Sequence, residues 1–339
     1  MSAIQENVAL MLFNTFHLDI KARYLADLED VNQVQDFLVS SFARVRPRLI
    51  LGGGSNILFI SDYDGFVIRP LIKGIVIIEE DKDWILVRAG AGENWDSFVA
   101  WCVERELGGI ENLSLIPGTV GACPIQNIGA YGAEVKEAID SVEVVMCDTG
   151  KKMLLSGNDC RFAYRDSVFK QELRDKTIIT HVTFKFNKKH QLKIGYGELE
   201  KELSKFPMAS VKTLREAVIN IRRRKLPDPD DIGNAGSFFK NPVVPENQIA
   251  GLRKVYPEMP VYAGQPGMAK LSAAWLIDQC GWKGKREGNT GTYNNQPLIL
   301  VNHGGATGKE ILNFAREIQK SVMDRFALQL ELEVNVVGG

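Results

Sequence analysis

The sequence predicts an α+β fold with more than one core, and three observations carry that prediction. At 339 residues, 45% of them hydrophobic, the chain is long enough to bury two or three domains. A helical pattern near the N-terminus leads into a strand, a glycine loop and a second strand, and farther on a glycine-ended strand leads into a second helix. A new set of helices and strands then starts after the closely spaced Pro227 and Pro229.

Asp30 to Phe42 places Val31, Val34, Phe37, Leu38 and Phe42 on one helical face. Leu49-Ile-Leu51 follows as a short buried strand running into glycine. Trp84 to Gly92 reads as a strand, and Trp95 to Leu107 as a helix that turns Phe98, Val99, Cys102 and Val103 inward. Strand-like runs recur at Ser141 to Cys147 and Thr177 to Phe186. Ser210 to Lys225 is a helix with Val211, Leu214, Val218 and Ile221 on one face. It ends at Lys225-Leu-Pro-Asp-Pro229, where proline prevents helical continuation, and the main domain boundary is expected there. The remainder reads as a helix from Ala269 to Gln279, a strand from Pro297 to Asn302, a helix from Lys309 to about Arg325 and a long strand from Leu328 to Val337.

Composition narrows the function. With 41 basic and 42 acidic residues, the chain has neither a nucleic-acid stripe nor a membrane-surface bias, so an anionic ligand must be met locally. Cys102, Cys123, Cys147, Cys160 and Cys280 are odd in number, lack CxxC spacing and mostly sit among apolar neighbours, as expected of reduced thiols in a cytoplasmic protein. No apolar run approaches the roughly 20 residues of a membrane span, and the N-terminal stretch lacks the features of a signal peptide. His17, His181, His190 and His303 are scattered, so no metal site is expected. The absence of a Gly-x-Ser-x-Gly elbow argues against covalent hydrolysis.

Two glycine-rich segments stand out, Leu51-Gly-Gly-Gly-Ser-Asn-Ile-Leu58 and the run from Leu113 to Gly132. Glycine brings backbone within hydrogen-bonding distance of phosphate oxygens, and successive amides form an anion nest. Two such loops point to a large phosphate-bearing cofactor held between them. Gly90-Ala-Gly92 lacks the third glycine of a dinucleotide fingerprint. Gly304-Gly-Ala-Thr-Gly-Lys309 is one residue short of a phosphate loop and continues with Glu310, so Thr307 and Glu310 read as a capping box that opens the last helix.

Four segments, Ile116-Pro-Gly-Thr-Val-Gly121, Gln126-Asn-Ile-Gly-Ala-Tyr-Gly132, Tyr164-Arg-Asp-Ser167 and Asn234-Ala-Gly-Ser-Phe-Phe-Lys-Asn-Pro242, closely resemble the UDP-N-acetylenolpyruvoylglucosamine reductase family of flavoproteins. The resemblance runs from Asn14-Thr-Phe16 to Leu332-Glu-Val334, nearly the whole chain. It implies an α+β, three-domain flavoprotein with vanillyl-alcohol-oxidase-type (PCMH-type) FAD-binding domains plus a C-terminal substrate domain. Residues 1–72 would form the first FAD-binding subdomain, joined by the final strand from about 328 to 339, with 73–224 as the second and 225–327 as the substrate domain. FAD would be held by Gly52, Gly53, Gly54, Ser55, Asn56 and Ile57 of the first loop and by Pro117, Gly118, Thr119, Gly121, Gln126, Asn127, Ile128 and Gly129 of the second. The first loop carries no attachment histidine, which implies noncovalent FAD.

The resemblance also implies chemistry: NADPH-dependent reduction, through FAD, of UDP-N-acetylenolpyruvoylglucosamine to UDP-N-acetylmuramate for peptidoglycan. Hydride added to the enolpyruvyl terminal carbon leaves charge on the ether carbon and carboxylate. Arg165 suits that carboxylate, with Glu333 as a proton-bearing or hydrogen-bonding partner and Ser237 as the proton donor. Gly195-Tyr-Gly-Glu-Leu199 is similar to the substrate loop of the type I branch, and Tyr196, Lys225, Asn241, Tyr262 and Lys270 would line the diphosphate and nucleotide region. Any of Arg222, Arg223, Arg224 and Lys225 could meet phosphate. The expected partners are the UDP-sugar and NADPH, with no nucleic acid and no membrane, in a cytoplasmic monomer. Two rival readings remain: an alcohol oxidase or dehydrogenase on the same fold, which would consume oxygen with an alcohol, and a non-catalytic nucleotide-sugar or flavin sensor, which would not turn over NADPH.

Overall fold

The structure is a computed structural model that describes residues 4–40 and 47–338, so Phe42 and Gly339 lie outside the described residues. The described residues group into two compact units. One holds the chain up to Val8, Lys21–Gly54 and Tyr63–Arg224; the other holds Ala9–Ile20, Ser55–Asp62 and the chain from Lys225 onward.

The first unit contains two sheets. β1 (Ile4–Ala9), β2 (Lys21–Leu28), β3 (Arg48–Ile50) and β5 (Tyr63–Pro70) lie in the order β1-β2-β5-β3, with β2 and β3 parallel to β5. Helix α1 (Val31–Val39) joins β2 to β3 and buries Val34, Phe37 and Leu38. Its start is set by Asp30, whose carboxylate accepts the Gln33 N–H at 2.9 Å. It stops before the apolar pattern does, because the Ser40 N–H and hydroxyl both donate to the Phe37 carbonyl. The rings of Tyr24 and Phe37 pack on Phe66 at 4.8 and 5.3 Å between centroids.

The second sheet is antiparallel, in the order β11-β10-β12-β7-β6, from β6 (Ile75–Glu80), β7 (Trp84–Gly90), β10 (Ile139–Met146), β11 (Lys152–Ser156) and β12 (Thr177–Asn187). Helix α2 (Trp95–Glu104) buries Trp95, Phe98, Val99, Cys102 and Val103 in one core with Phe184 and Phe186 of β12. It ends short of Leu107 because Glu106 turns to φ +59° and the Leu107 N–H folds back to the Cys102 carbonyl. A small ribbon, β8 (Gly129–Ala130) with β9 (Ala133–Glu134), follows the second glycine loop. Helices α3 (Leu199–Leu203) and α4 (Val211–Lys225) share an apolar cluster of Leu199, Leu203, Leu214, Ala217, Val218 and Ile221.

In the second unit, β13 (Gly233–Ser237), β17 (Arg286–Glu287), β18 (Thr290–Tyr293) and β19 (Gln296–Asn302) form an antiparallel sheet in the order β13-β19-β18-β17. A second sheet, β14-β16-β15, is built from β14 (Val243–Pro245), β15 (Val261–Ala263) and β16 (Met268–Leu271). β4 (Ile57–Phe59) pairs in parallel with β20 (Asn335–Val337). Helices α5 (Glu246–Val255), α6 (Ala273–Gln279) and α7 (Gly308–Phe326) complete it. The Thr307–Glu310 capping box is present, and a Cβ on Gly308 would fall 1.7 Å from the Phe59 carbonyl oxygen, so only glycine lets α7 start there.

Two elements differ from their patterns. α6 starts at Ala273 because Ala269 to Leu271 are in β16 and the Ser272 hydroxyl caps the Trp275 N–H at 3.2 Å. The expected long final strand forms a regular ladder only over Asn335–Val337. Upstream, Leu328, Leu330 and Val334 still face inward, but the Leu330 carbonyl accepts the Gln319 side chain at 2.6 Å, which replaces a ladder partner.

All five cysteines are free thiols. Burial pushes Cys160 up to about 12 and Cys147 up to about 11, and raises Cys102 and Cys123 further, keeping all four protonated and unreactive. Ellman titration of the native protein at neutral pH is therefore expected to modify at most the half-buried Cys280, and all five thiols after unfolding. Rapid native reaction of two or more would contradict this burial.

Candidate active site

The two glycine loops of the first unit meet backbone to backbone. A Cβ on Gly53 would stand 2.8 Å from the Gly118 Cα, and one on Gly52 would stand 2.8 Å from Thr119 Oγ1. Gly54 and Gly118 adopt φ +64° and +131°, which side chains disfavour. The result is a cradle of bare peptide that suits a diphosphate, so these residues fit the pyrophosphate of FAD. Neighbouring members of the expected set also make hydrogen bonds within the protein. The Gly121 N–H donates to the Ala91 carbonyl at 2.9 Å, and a Cβ there would fall 2.6 Å from Ala91 Cβ. Asn127 is fully buried; its amide donates to Glu134 at 3.0 Å and to the Ala163 carbonyl at 2.9 Å, and its carbonyl accepts the Lys136 N–H. The Ile128 N–H donates to the Cys123 carbonyl.

Arg165 is aimed by a tight turn. Ala163 and Asp166 exchange backbone hydrogen bonds at 3.0 and 3.3 Å, leaving Arg165 at φ +54°. Its guanidinium donates to the Gly129 carbonyl at 2.9 Å, which ties it to the end of the second glycine loop. The buried Ser167 hydroxyl donates to the Ile125 carbonyl and anchors the turn from the other side. Tyr196 is 47% exposed, on a loop whose ring meets Tyr131 edge to face at 6.2 Å. Burial pushes the Tyr131 phenol up, with Arg222 opposing and Tyr196 and Glu198 adding to the rise.

Within the second unit, Ser237 and Glu333 are brought onto adjacent segments. β13 pairs Asn234 with Val301 but Ser237 with Ile299, so the strand carries one extra residue, with Gly236 at φ +67°. Asn234 holds this bulge, accepting the Gly236 N–H at 2.9 Å and donating to the Ile232 carbonyl. The bulge leaves Ser237 exposed while Phe238 and Phe239 stay buried. Asn234 is pinned in turn by Thr15, whose carbonyl and hydroxyl bond its N–H and carbonyl at 2.8 and 2.6 Å. The Glu333 N–H donates to the carbonyl of Phe238, the residue after Ser237, and Asn56 donates to the Glu333 carbonyl at 3.2 Å.

Tyr262 and Lys270 stand directly opposite each other across β15 and β16, so both side chains share one sheet face. Asn241 sits just before β14 and its side-chain oxygen accepts the Ala273 N–H, capping α6. Lys225 ends α4 and opens the longest segment of the second unit.

Sequence reasoning passed over the three-residue turn Glu111–Leu113. Glu111 and Asn112 are buried; the Glu111 carboxylate meets His190 at 2.8 Å, and the Asn112 amide donates to the carbonyls of Tyr131 and Lys193. Burial alone would raise the Glu111 carboxyl, but hydrogen bonds from His190 and the Gly109 N–H hold it below the usual range. This turn tethers the base of the Tyr196 loop. A carboxylate and an amide side by side before a glycine loop were the only available signal. Among the described residues, no cluster of three or more metal-ligating side chains occurs and no helix is long and apolar enough to cross a membrane.

Comparison with known proteins places this geometry. A profile of the UDP-N-acetylenolpyruvoylglucosamine reductase C-terminal domain matches residues 228–337, and a profile described as FAD binding domain matches residues 22–154. The UDP-N-acetylenolpyruvoylglucosamine reductase of Amoebophilus asiaticus is 46% identical over 336 residues, covering 98% of this chain and 99% of that protein. That of Xanthomonas campestris pv. campestris is 47% identical, covering 98% and 96%. The crystal structure of UDP-N-acetylenolpyruvylglucosamine reductase from Thermus caldophilus superposes with a TM-score of 0.69 at 25% identity over the whole of both chains.

Proposed function

This chain belongs to the UDP-N-acetylenolpyruvoylglucosamine reductase family, and on that premise we propose that it reduces UDP-N-acetylenolpyruvoylglucosamine to UDP-N-acetylmuramate with NADPH. It is an FAD-binding oxidoreductase with a vanillyl-alcohol-oxidase-type FAD fold. The observation that carries the proposed chemistry is Ser237, exposed on a glycine bulge beside the segment that bears Glu333.

FAD, held by the two glycine loops, would supply the hydride chemistry, with NADPH as the source and the terminal carbon of the enolpyruvyl group as the acceptor. Ser237 gives the proton to the ether carbon; its hydroxyl is aimed by the bulge, which supports this role. Arg165 pairs with the substrate carboxylate through its planar fork, and Glu333 is the proton-bearing or hydrogen-bonding partner of the developing enolate. Tyr262, Lys270 and Asn241, with Tyr196 and Lys225, hold the UDP portion. Gly52 to Ile57 and Pro117 to Thr119, with Gly121, Gln126, Asn127, Ile128 and Gly129, hold FAD without a covalent bond, and the internal hydrogen bonds of Gly121, Asn127 and Ile128 also keep the second loop in shape. The protein acts in the cytoplasm as a monomer.

The test is NADPH oxidation by purified protein with and without the UDP-sugar. Turnover is expected only with the UDP-sugar, and Arg165→Lys and Glu333→Gln are each expected to lower kcat by about 10²-fold, since each removes a donor or charge aimed at the transition state. Near-normal turnover in both variants would remove Arg165 and Glu333 from the mechanism.

A further inference from the structure

The backbone of the second glycine loop is forced into an unfavourable shape just before the cradle. Leu115 adopts φ +59°, a left-handed conformation that a residue with a Cβ disfavours. Two residues later come Pro117 and Gly118. The Leu115 N–H donates to a carboxylate oxygen of Asp96, on the first turn of α2. Asp96 is gripped in turn by Arg215 of α4, which donates from both guanidinium ends at 2.6 and 2.8 Å, although the two residues lie 119 positions apart. Both side chains are largely buried, at 26% and 14% exposure, so solvent does little to weaken the pair. The same stretch of α2 holds the loop farther along: the Trp95 N–H donates to the Gly118 carbonyl at 3.1 Å, the Trp95 indole donates to the Leu113 carbonyl at 2.8 Å, and Asn94 bridges Thr119.

We propose that Asp96 and Arg215 are positioning residues for FAD: together they hold Leu115 in its left-handed conformation and so preset the Pro117–Thr119 backbone for the cofactor pyrophosphate. The proposal rests on the reading of that loop as a cofactor loop. Neither side chain needs to touch FAD. Arg215 fixes the direction of the carboxylate, and the carboxylate fixes the Leu115 peptide. The electrostatics agree with this arrangement. Burial by itself would raise the Asp96 carboxyl, but hydrogen bonds from Arg215 and the Leu115 N–H hold it below the usual carboxylate range. Losing a charge-assisted bond of this kind is worth about tenfold or more in an equilibrium constant.

The experiment measures the FAD dissociation constant of the purified holoprotein, from flavin fluorescence after dilution, alongside thermal unfolding of the apoprotein. Asp96→Ala is expected to weaken FAD binding about tenfold or more, and Arg215→Lys, which keeps the charge but loses the fork, to weaken it by a smaller factor. Leu115→Gly added to Asp96→Ala should recover much of the lost affinity, since glycine takes φ +59° unaided; a merely structural role for Asp96 would not produce that rescue. Parent-like FAD affinity in Asp96→Ala and Arg215→Lys overturns the proposal, as does a further loss on adding Leu115→Gly. If Asp96→Ala does not fold, the Arg215→Lys dissociation constant decides the matter alone. Gly118→Val separates the two layers of the claim. Its losing FAD while Asp96→Ala binds normally overturns only the positioning role. Its binding FAD normally overturns the loop assignment and the positioning role with it.

Discussion

Replacing Ser237 by alanine is expected to leave reduction of the flavin by NADPH close to the parent rate while slowing reoxidation by UDP-N-acetylenolpyruvoylglucosamine by about 10² to 10⁴. The asymmetry follows from the proton inventory. Hydride passing from NADPH to the flavin needs no proton from Ser237, whereas saturating the enolpyruvyl double bond needs one at the ether carbon. The substitution is also structurally quiet. Ser237 is exposed, and the bulge that presents it is held by Asn234 and Gly236, neither of which the alanine disturbs. Stopped-flow absorbance follows each half-reaction separately. Equal slowing of both would mean that the residue shapes the site and donates no proton.

Gly53→Val is expected to yield protein that purifies without flavin. Its Cβ would sit 2.8 Å from the Gly118 Cα, and because that atom is backbone, no rotamer change can relieve the clash. The two loops must separate, and overpacking of this kind costs about 1–3 kcal/mol before any lost amide contacts are counted. That corresponds to roughly a tenfold to hundredfold loss of FAD affinity or more. Gly74→Ala serves as the control: a Cβ there meets nothing within 4 Å, and although its φ of +114° adds strain, it lies outside both loops. Retention of flavin by Gly53→Val at the parent level would show that the closeness of the loops does not serve the cofactor.

What could be read from the sequence was whatever depended on local chemistry. Asp30 and the Thr307–Glu310 box were visible as helix starts, because a side-chain oxygen reaching an amide three residues on is a local event. The glycine loops were visible because glycine there has no substitute. Helix and strand ends were less legible. Ser40 turning back on Phe37, Glu106 taking a positive φ and Gln319 capturing the Leu330 carbonyl each depend on a few hydrogen bonds that periodicity does not encode. In the candidate site, Arg165, Ser237 and Glu333 were named through motif resemblance, but the hydrogen bonds that aim them were not foreseen. Asn234 shaping the bulge, Gly129 receiving Arg165 and Tyr262 facing Lys270 arise from tertiary register. Asp96 and Arg215 were invisible for the same reason: each alone is an ordinary helical charge, and only folding across 119 positions makes them a pair.

The most direct measurement is the absorbance spectrum of the purified protein under anaerobic conditions, before and after NADPH and again after the UDP-sugar. The account predicts a bound-flavin spectrum that NADPH bleaches and that UDP-N-acetylenolpyruvoylglucosamine restores in a single turnover, with FAD released from the chain on denaturation. A flavin that NADPH leaves unbleached, or that stays bleached when the UDP-sugar is added, would contradict it.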